Sequence, residues 1–245
     1  MNSKLFIKFL IIFLMLNVPL FSQYQDLNGW YSVGLGYEFE KKWEINFEEQ
    51  IKCNSNSMKF DKIISDFDIQ FKHKKWLSYS FGGRYVFNKT NENFWKQSSR
   101  LNFVLILKYE INRFQIISKT KTQIILDYKN RNDKVNSDDA LFRQKVTIKY
   151  NIKKIKLTPY VSSELFVEDY RDDRKRPPFG FETNAVRFEI GTKYKINKKN
   201  ELEIFYGFEK ELNQVFNKRD FIFGINYKIN LKSNTDKSDK LSLGK

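Results

Sequence analysis

Cysteine, histidine, proline and long apolar runs are all scarce in this sequence of 245 residues. Its single cysteine, Cys53, excludes an intramolecular disulfide framework. After Ser22, no apolar run is long enough to form a transmembrane helix. Only four prolines are present, no helical periodicity is sustained, and many alternating segments are joined by polar turns. These features favour one all-β domain, either a sandwich or a barrel.

Groups suited to catalysis are also few. The only histidine, His73, lies among lysines in a predicted turn, from which it cannot serve a serine nucleophile that attacks lipid. Cys53 and His73 are predicted at opposite ends of the sheet, so they do not form a metal site. We therefore predict no catalytic residue, no metal and no cofactor. A lipid-modifying enzyme that uses carboxylates alone stays open as an alternative.

The N-terminus has the pattern of a secretory signal peptide. Lys4 and Lys8 precede the apolar segment 9–16, and the small residue Ser22 closes the pattern before Gln23. The predicted domains are accordingly a signal peptide at 1–22, a barrel at 23–231 and a polar tail at 232–245. We expect the mature chain to be exported.

The formal net charge of the chain is +15, and 17% of its residues are aromatic. In a cytoplasmic protein such a charge would suggest nucleic acid as the partner, but an exported chain does not meet the genome. We predict outer-membrane lipid and lipopolysaccharide as the partners, together with the barrel-assembly machinery during folding. A small polar solute of unknown identity is a further candidate.

A short repeat recurs along the chain. Each copy has an aromatic residue, an alternating apolar residue and a basic turn; the copies begin at Tyr37, Tyr109, Tyr150, Tyr194 and Tyr227, with a looser one at Phe71. Longer polar connections are predicted at 54–59, 88–93, 129–140, 169–182 and 211–218. Short turns on one rim and long loops on the other are typical of bacterial outer-membrane barrels, whose short turns face the periplasm. The repeated aromatics would form one membrane girdle, and Trp30, Phe87 and Trp95 the second.

The segment 219–231 shows the alternation that assigns the two faces of each strand. In a transmembrane barrel the apolar face meets lipid and the polar face lines the lumen. The charged residues predicted to line the lumen are Glu44, Glu48, Asp66, Asp68, Arg84, Arg100, Lys119, Lys121, Arg143, Glu164, Arg187 and Glu189. Two arrangements stay open for them: opposed walls of opposite charge, or a network of ion pairs that closes the lumen.

The repeat implies eleven strands, of which the first and last run in the same direction, whereas bacterial single-chain barrels normally have an even number. The prediction is an all-β, antiparallel transmembrane (outer-membrane) β-barrel of about 10–12 strands, with its closure left open. A soluble periplasmic lipocalin-like barrel is the alternative fold.

One ion-pair cluster follows from an assumed turn. If Lys153 and Lys154 are the centre of a two-residue turn, Arg143 lies directly opposite Glu164 on the lumen side. Arg187 is predicted at a similar height. An Arg143–Glu164–Arg187 cluster inside the barrel is therefore expected.

The segments 30–37 and 159–166 and the Tyr-Lys-Ile-Asn endings resemble an uncharacterised family of Gram-negative envelope proteins, a domain of unknown function with a predicted outer-membrane barrel. The similarity covers nearly the whole mature chain. It implies the fold and an outer-membrane location, but no activity and no functional residues. The expected role is a small channel, uptake or structural barrel, with surface binding or lipid modification as alternatives.

Overall fold

The computed structural model describes residues 25–54, 56–57, 59–89, 95–126, 140–171, 179–212 and 219–232. The predicted signal peptide and nearly all of the predicted tail lie outside these residues. The strands in the described part are β1 (Gln25–Glu40), β2 (Trp43–Asn54), β3 (Lys59–Lys74), β4 (Leu77–Lys89), β5 (Trp95–Ile111), β6 (Phe114–Ile125), β7 (Ala140–Tyr150), β8 (Leu157–Arg171), β9 (Phe179–Lys195), β10 (Asn200–Glu211) and β11 (Arg219–Lys232). Among the described residues, no helix is long and apolar enough to cross a membrane.

The eleven described strands form a closed barrel. Strands that are consecutive in the chain pair antiparallel, and the barrel closes where β1 pairs with β11 in parallel. An odd number of alternating strands makes the first and last run in the same direction, so a parallel pair is the only closure available. The prediction of an all-β barrel of about 10–12 mostly antiparallel strands is confirmed.

Five short connections lie at one end of the barrel, here called the short-turn rim. Two residues separate the strands at 41–42, 75–76 and 112–113, whereas 151–156 and 196–199 are longer. The connections at the other end include residues outside the described part, among them nearly all of the predicted loop 129–140. The predicted loop 169–182 is too long, because β8 continues to Arg171 and β9 begins at Phe179.

Alternation along the strands gives the barrel an apolar outer face. In the described part, 37 large hydrophobic residues are exposed, whereas eight hydrophobic residues are buried. Outward positions on three separate strands are Val33 at 56%, Phe81 at 59% and Ile190 at 61% exposure. The barrel therefore turns most of its apolar surface outwards and its charges inwards.

Candidate functional site in the barrel lumen

Inward-pointing side chains surround a cavity of about 650 Å³. Most of the charged residues predicted to face the lumen line this cavity: Glu48, Asp66, Asp68, Arg84, Arg100, Lys119, Lys121, Arg143, Glu164, Arg187 and Glu189. Glu44 lies near the short-turn rim instead. Its carboxylate is 2.8 Å from the Lys72 ammonium and 3.6 Å from that of Lys228.

The cavity is also lined by Lys145 and Glu203, which alternation places on the polar face of their strands, and by charged residues that the sequence analysis missed, namely Lys52, Lys62, Lys193, Glu201 and Lys228. The missed residues could have been identified from the alternation of side chains between the two faces of each strand. Lys52 follows Glu48 by four residues on β2 and therefore shares its face. Lys193 shares a face of β9 with Glu189 in the same way.

Glu164 on β8 is the centre of an ion-pair cluster in the lumen. Its Oε1 is 2.7 Å from Arg143 Nη2, and its Oε2 accepts a hydrogen bond of 3.1 Å from Arg187 Nη1. Arg187 also donates from Nε to Glu209 Oε2 at 2.7 Å. Glu164 is 5% exposed, so two guanidinium groups compensate one buried carboxylate. The predicted Arg143–Glu164–Arg187 cluster is confirmed.

The register predicted for this cluster is wrong. Residue Lys145, two positions after Arg143, lies directly opposite Glu164, and Arg143 lies opposite Phe166. The cause is the turn: β7 ends at Tyr150 and β8 begins at Leu157, so the connection has six residues rather than two. The observed register differs from the predicted one by two residues, and a shift by an even number keeps every side chain on its predicted face.

A second cluster surrounds Asp66 on β3. Arg84 lies directly opposite on β4 and forms a bidentate contact, with Nε donating to Asp66 Oδ1 at 2.8 Å. Asn102 donates to the same oxygen at 3.4 Å, and Lys121 Nζ lies 3.9 Å from it. Lys121 is thus a distant third partner of a carboxylate that Arg84 already engages.

Further contacts join the strands from β7 to β10. Lys145 pairs with Glu189, which also accepts a hydrogen bond of 3.0 Å from Ser162 Oγ. Lys193 contacts Glu201 at 3.3 Å and Glu203 at 3.2 Å. Opposite charges therefore occur mainly on adjacent or nearby strands. Of the two arrangements left open by the sequence, the described residues show the ion-pair network.

One wall of the lumen is apolar. Tyr160, Phe205 and Ile222 form a buried cluster, and Trp30 packs against it with its ring centroid 6.3 Å from that of Phe205. Gly224 leaves the space for Phe205, because a Cβ at this position would lie 2.0 Å from the ring. These rings fill part of the lumen from the side of β8, β10, β11 and β1.

The prediction that Trp30 belongs to an outer aromatic girdle is wrong. Trp30 lines the cavity, whereas its neighbour Tyr31 is exposed on the outside. The ammonium of Lys52 lies 3.4 Å from the centroid of the Trp30 ring, and the guanidinium carbon of Arg187 lies 4.5 Å from it. The indole therefore positions two cations inside the barrel.

The comparison with known proteins adds a family assignment. Residues 27–221 match the family described as "Protein of unknown function (DUF2490)". The chain belongs to this family. No curated protein matches the chain. The region that matches DUF2490 extends from within β1 to the start of β11, so it nearly coincides with the described barrel.

The two groups considered for catalysis lie near opposite ends of the barrel. His73 is exposed at the end of β3, at an irregularity of the β3–β4 register between Lys72 and Lys74. Cys53 lies near the opposite end of the barrel, on β2. Among the described residues, no group of three His, Cys, Asp or Glu side chains is arranged to hold a metal ion.

Proposed function

We propose that this member of DUF2490 is an integral outer-membrane β-barrel, exported through its N-terminal signal peptide, whose narrow lumen admits only small polar solutes. The observation that carries the proposal is the orientation of the two faces. Large hydrophobic side chains are exposed on the outside of the strands, and charged side chains surround the cavity. Lipid contact is the environment in which such an outer face is stable.

The lengths of the strands support a membrane-spanning barrel. A transmembrane strand needs about 9–11 residues. The shortest described strand, β7, has 11 residues, and the longest, β5 and β9, have 17. A soluble lipid-binding barrel would need apolar residues around its cavity, whereas this cavity is lined by numerous lysines, arginines and carboxylates. The lining therefore argues against the lipocalin-like alternative.

The lumen contents support a narrow passage. On the lumen side, ion pairs join β2 to β3, β3 to β4, β7 to β8, β8 to β9 and β9 to β10, and the rings of Trp30 and Phe205 occupy one wall. Wide aqueous channels belong to barrels with more strands than this one has. A solute therefore has to pass among fixed charges, which favours small polar molecules over apolar ones.

Two measurements test this proposal. The protein should sediment with outer membranes and resist extraction by alkaline carbonate; recovery as a soluble periplasmic protein would contradict the membrane assignment. In planar bilayers the purified barrel should give only small conductance steps. Phe205→Ala should enlarge them, and Phe208→Ala, on the outward face of the same strand, should not. Large steps from the unaltered protein would contradict a narrow lumen.

A further inference from the structure

The charges around the cavity do not balance. Among the described residues, eleven lysines and arginines line it, against seven aspartates and glutamates. Lys52 and Lys119 have no carboxylate within 4.0 Å among the described residues, and Lys121 reaches only Asp66, at 3.9 Å. An uncompensated cation inside a barrel wall is costly unless water or an anion neutralises it.

The arrangement of these lysines increases that cost. Along the β6–β7 pair, Lys119 lies directly opposite Lys145, and Lys121 lies directly opposite Arg143. Like charges directly opposite each other destabilise a sheet. Lys145 and Arg143 each have a close carboxylate partner, Glu189 and Glu164, whereas Lys121 has only the distant Asp66 that Arg84 already engages, and Lys119 has no carboxylate within 4.0 Å among the described residues.

The cations converge from several strands. Lys52 on β2 and Lys121 on β6 both interact electrostatically with Arg84 on β4 and with Arg143 on β7. Trp30 holds Lys52 in place, and the Phe166 ring lies 4.8 Å from the guanidinium carbon of Arg143. Positive charges from four strands thus line one cavity.

We propose that this cavity binds a small oxyanion with more than one negative charge, bearing phosphate or carboxylate groups, between the β6 lysines and the cations of β2, β4 and β7. The inference names the solute class of the same lumen and so rests on the proposed function. A cavity of about 650 Å³ lies in the size range of small-molecule sites. Arginine guanidinium and lysine ammonium groups donate charge-assisted hydrogen bonds to phosphate and carboxylate oxygens.

Binding is tested with two probes, sodium pyrophosphate and sodium citrate, added to the full mature barrel in zwitterionic detergent. Calorimetry at matched ionic strength should give saturable binding of at least one probe that sodium chloride does not reproduce. The double variant Lys119→Gln/Lys121→Gln should weaken it roughly tenfold or more, because two charged donors are lost. Lys153→Gln removes a charge in the exposed turn and should not alter the affinity.

The probe that binds tells which oxyanion class the cavity prefers. Absence of saturable binding by both probes, or an equal loss in Lys153→Gln, would overturn the inference. Because binding is measured in detergent, its failure is distinguishable from failure of the membrane assignment, which fractionation decides.

The unfolding temperature of the anion-free barrel distinguishes a role of Lys121 in anion binding from a structural role. If Lys121 is retained for an anion, Lys121→Gln should raise the unfolding temperature of the anion-free barrel, because it removes repulsion with Arg143. If Lys121 is a structural residue, the same change should lower that temperature, which would overturn the inference.

Discussion

Arg143 reaches Glu164 diagonally across the β7–β8 pair, because Lys145 occupies the position directly opposite Glu164. Glu164 also lies directly opposite Arg187 on β9. One buried carboxylate is therefore surrounded by three cations from two neighbouring strands. Glu164 is therefore the shared partner of Arg143 and Arg187 in the lumen network.

Glu164→Gln should destabilise the barrel by about 3 kcal/mol, since removing one partner of a buried pair leaves the other charges uncompensated. The free energy of unfolding can be measured by urea titration of the barrel in lipid vesicles. Glu40→Gln, at an exposed position beside the first short turn, is the control and should change it by less than about 0.5 kcal/mol. Equal effects of the two changes would contradict the cluster.

Charge reversal distinguishes the two lumen clusters. In Arg143→Glu/Glu164→Arg, the new arginine would lie directly opposite Lys145 and Arg187, so the double variant should recover only the part of the loss that comes from the diagonal contact and should stay well below the unaltered protein. Full recovery would contradict the register.

The reversal Asp66→Arg/Arg84→Asp should behave differently. Asp66 lies opposite Glu48 on its other side, and Arg84 lies opposite Arg100, so the swap converts two like-charge neighbours into opposite ones. The double variant should be more stable than either single reversal and close to the unaltered protein. Additive losses would contradict direct contact between Asp66 and Arg84.

Much of the barrel could be predicted from sequence because strand periodicity is a local property. Alternation assigned most side chains to their faces, and the repeated basic turns gave the strand count. The register of β7 and β8 could not be predicted, because a turn whose Lys154 adopts φ 64° without glycine has no sequence signal. The cluster was still found, since a slip of two residues preserves the face.

Trp30 illustrates the limit of arguing from residue type. Its aromatic ring and its position near the end of a strand indicated a membrane girdle. Alternation along β1, however, places Trp30 on the face opposite to that of Tyr31 and Val33. The contacts of Trp30 with Lys52 and Phe205 depend on space left by Gly224 on β11, the strand that pairs with β1 only through closure. No local pattern contains that information.

Gly224→Ala should lower the unfolding temperature, because the added Cβ would lie 2.0 Å from the buried Phe205 ring. Overpacking of this kind costs about 1–3 kcal/mol. Gly34→Ala is the matched control on β1, where the nearest atom to the added Cβ lies at 3.7 Å. Phe205→Leu should restore part of the stability of Gly224→Ala, and failure to do so would contradict the packing of the apolar cluster.

The orientation in the membrane is predicted from the short-turn rim. Trypsin added to intact cells should cut at 129–134 or 171–176, which lie almost wholly outside the described residues, and should spare Lys153 and Lys154 in the short turn. Cleavage is read by mass spectrometry, with permeabilised cells as the control in which both rims are accessible. Cleavage after Lys153 or Lys154 in intact cells would mean that the barrel is inserted the opposite way.

The central claim, that the outer face contacts lipid, is tested most directly by spin labels on single cysteines in a Cys53→Ser background. Labels replacing Phe103 on β5 and Phe188 on β9, both exposed outward positions, are compared in membranes with a label replacing Lys153 in the turn. The account predicts that the two outward labels are accessible to oxygen dissolved in lipid and protected from a water-soluble nickel complex, with the reverse at position 153. Outward labels as accessible to the nickel complex as the turn label would contradict it.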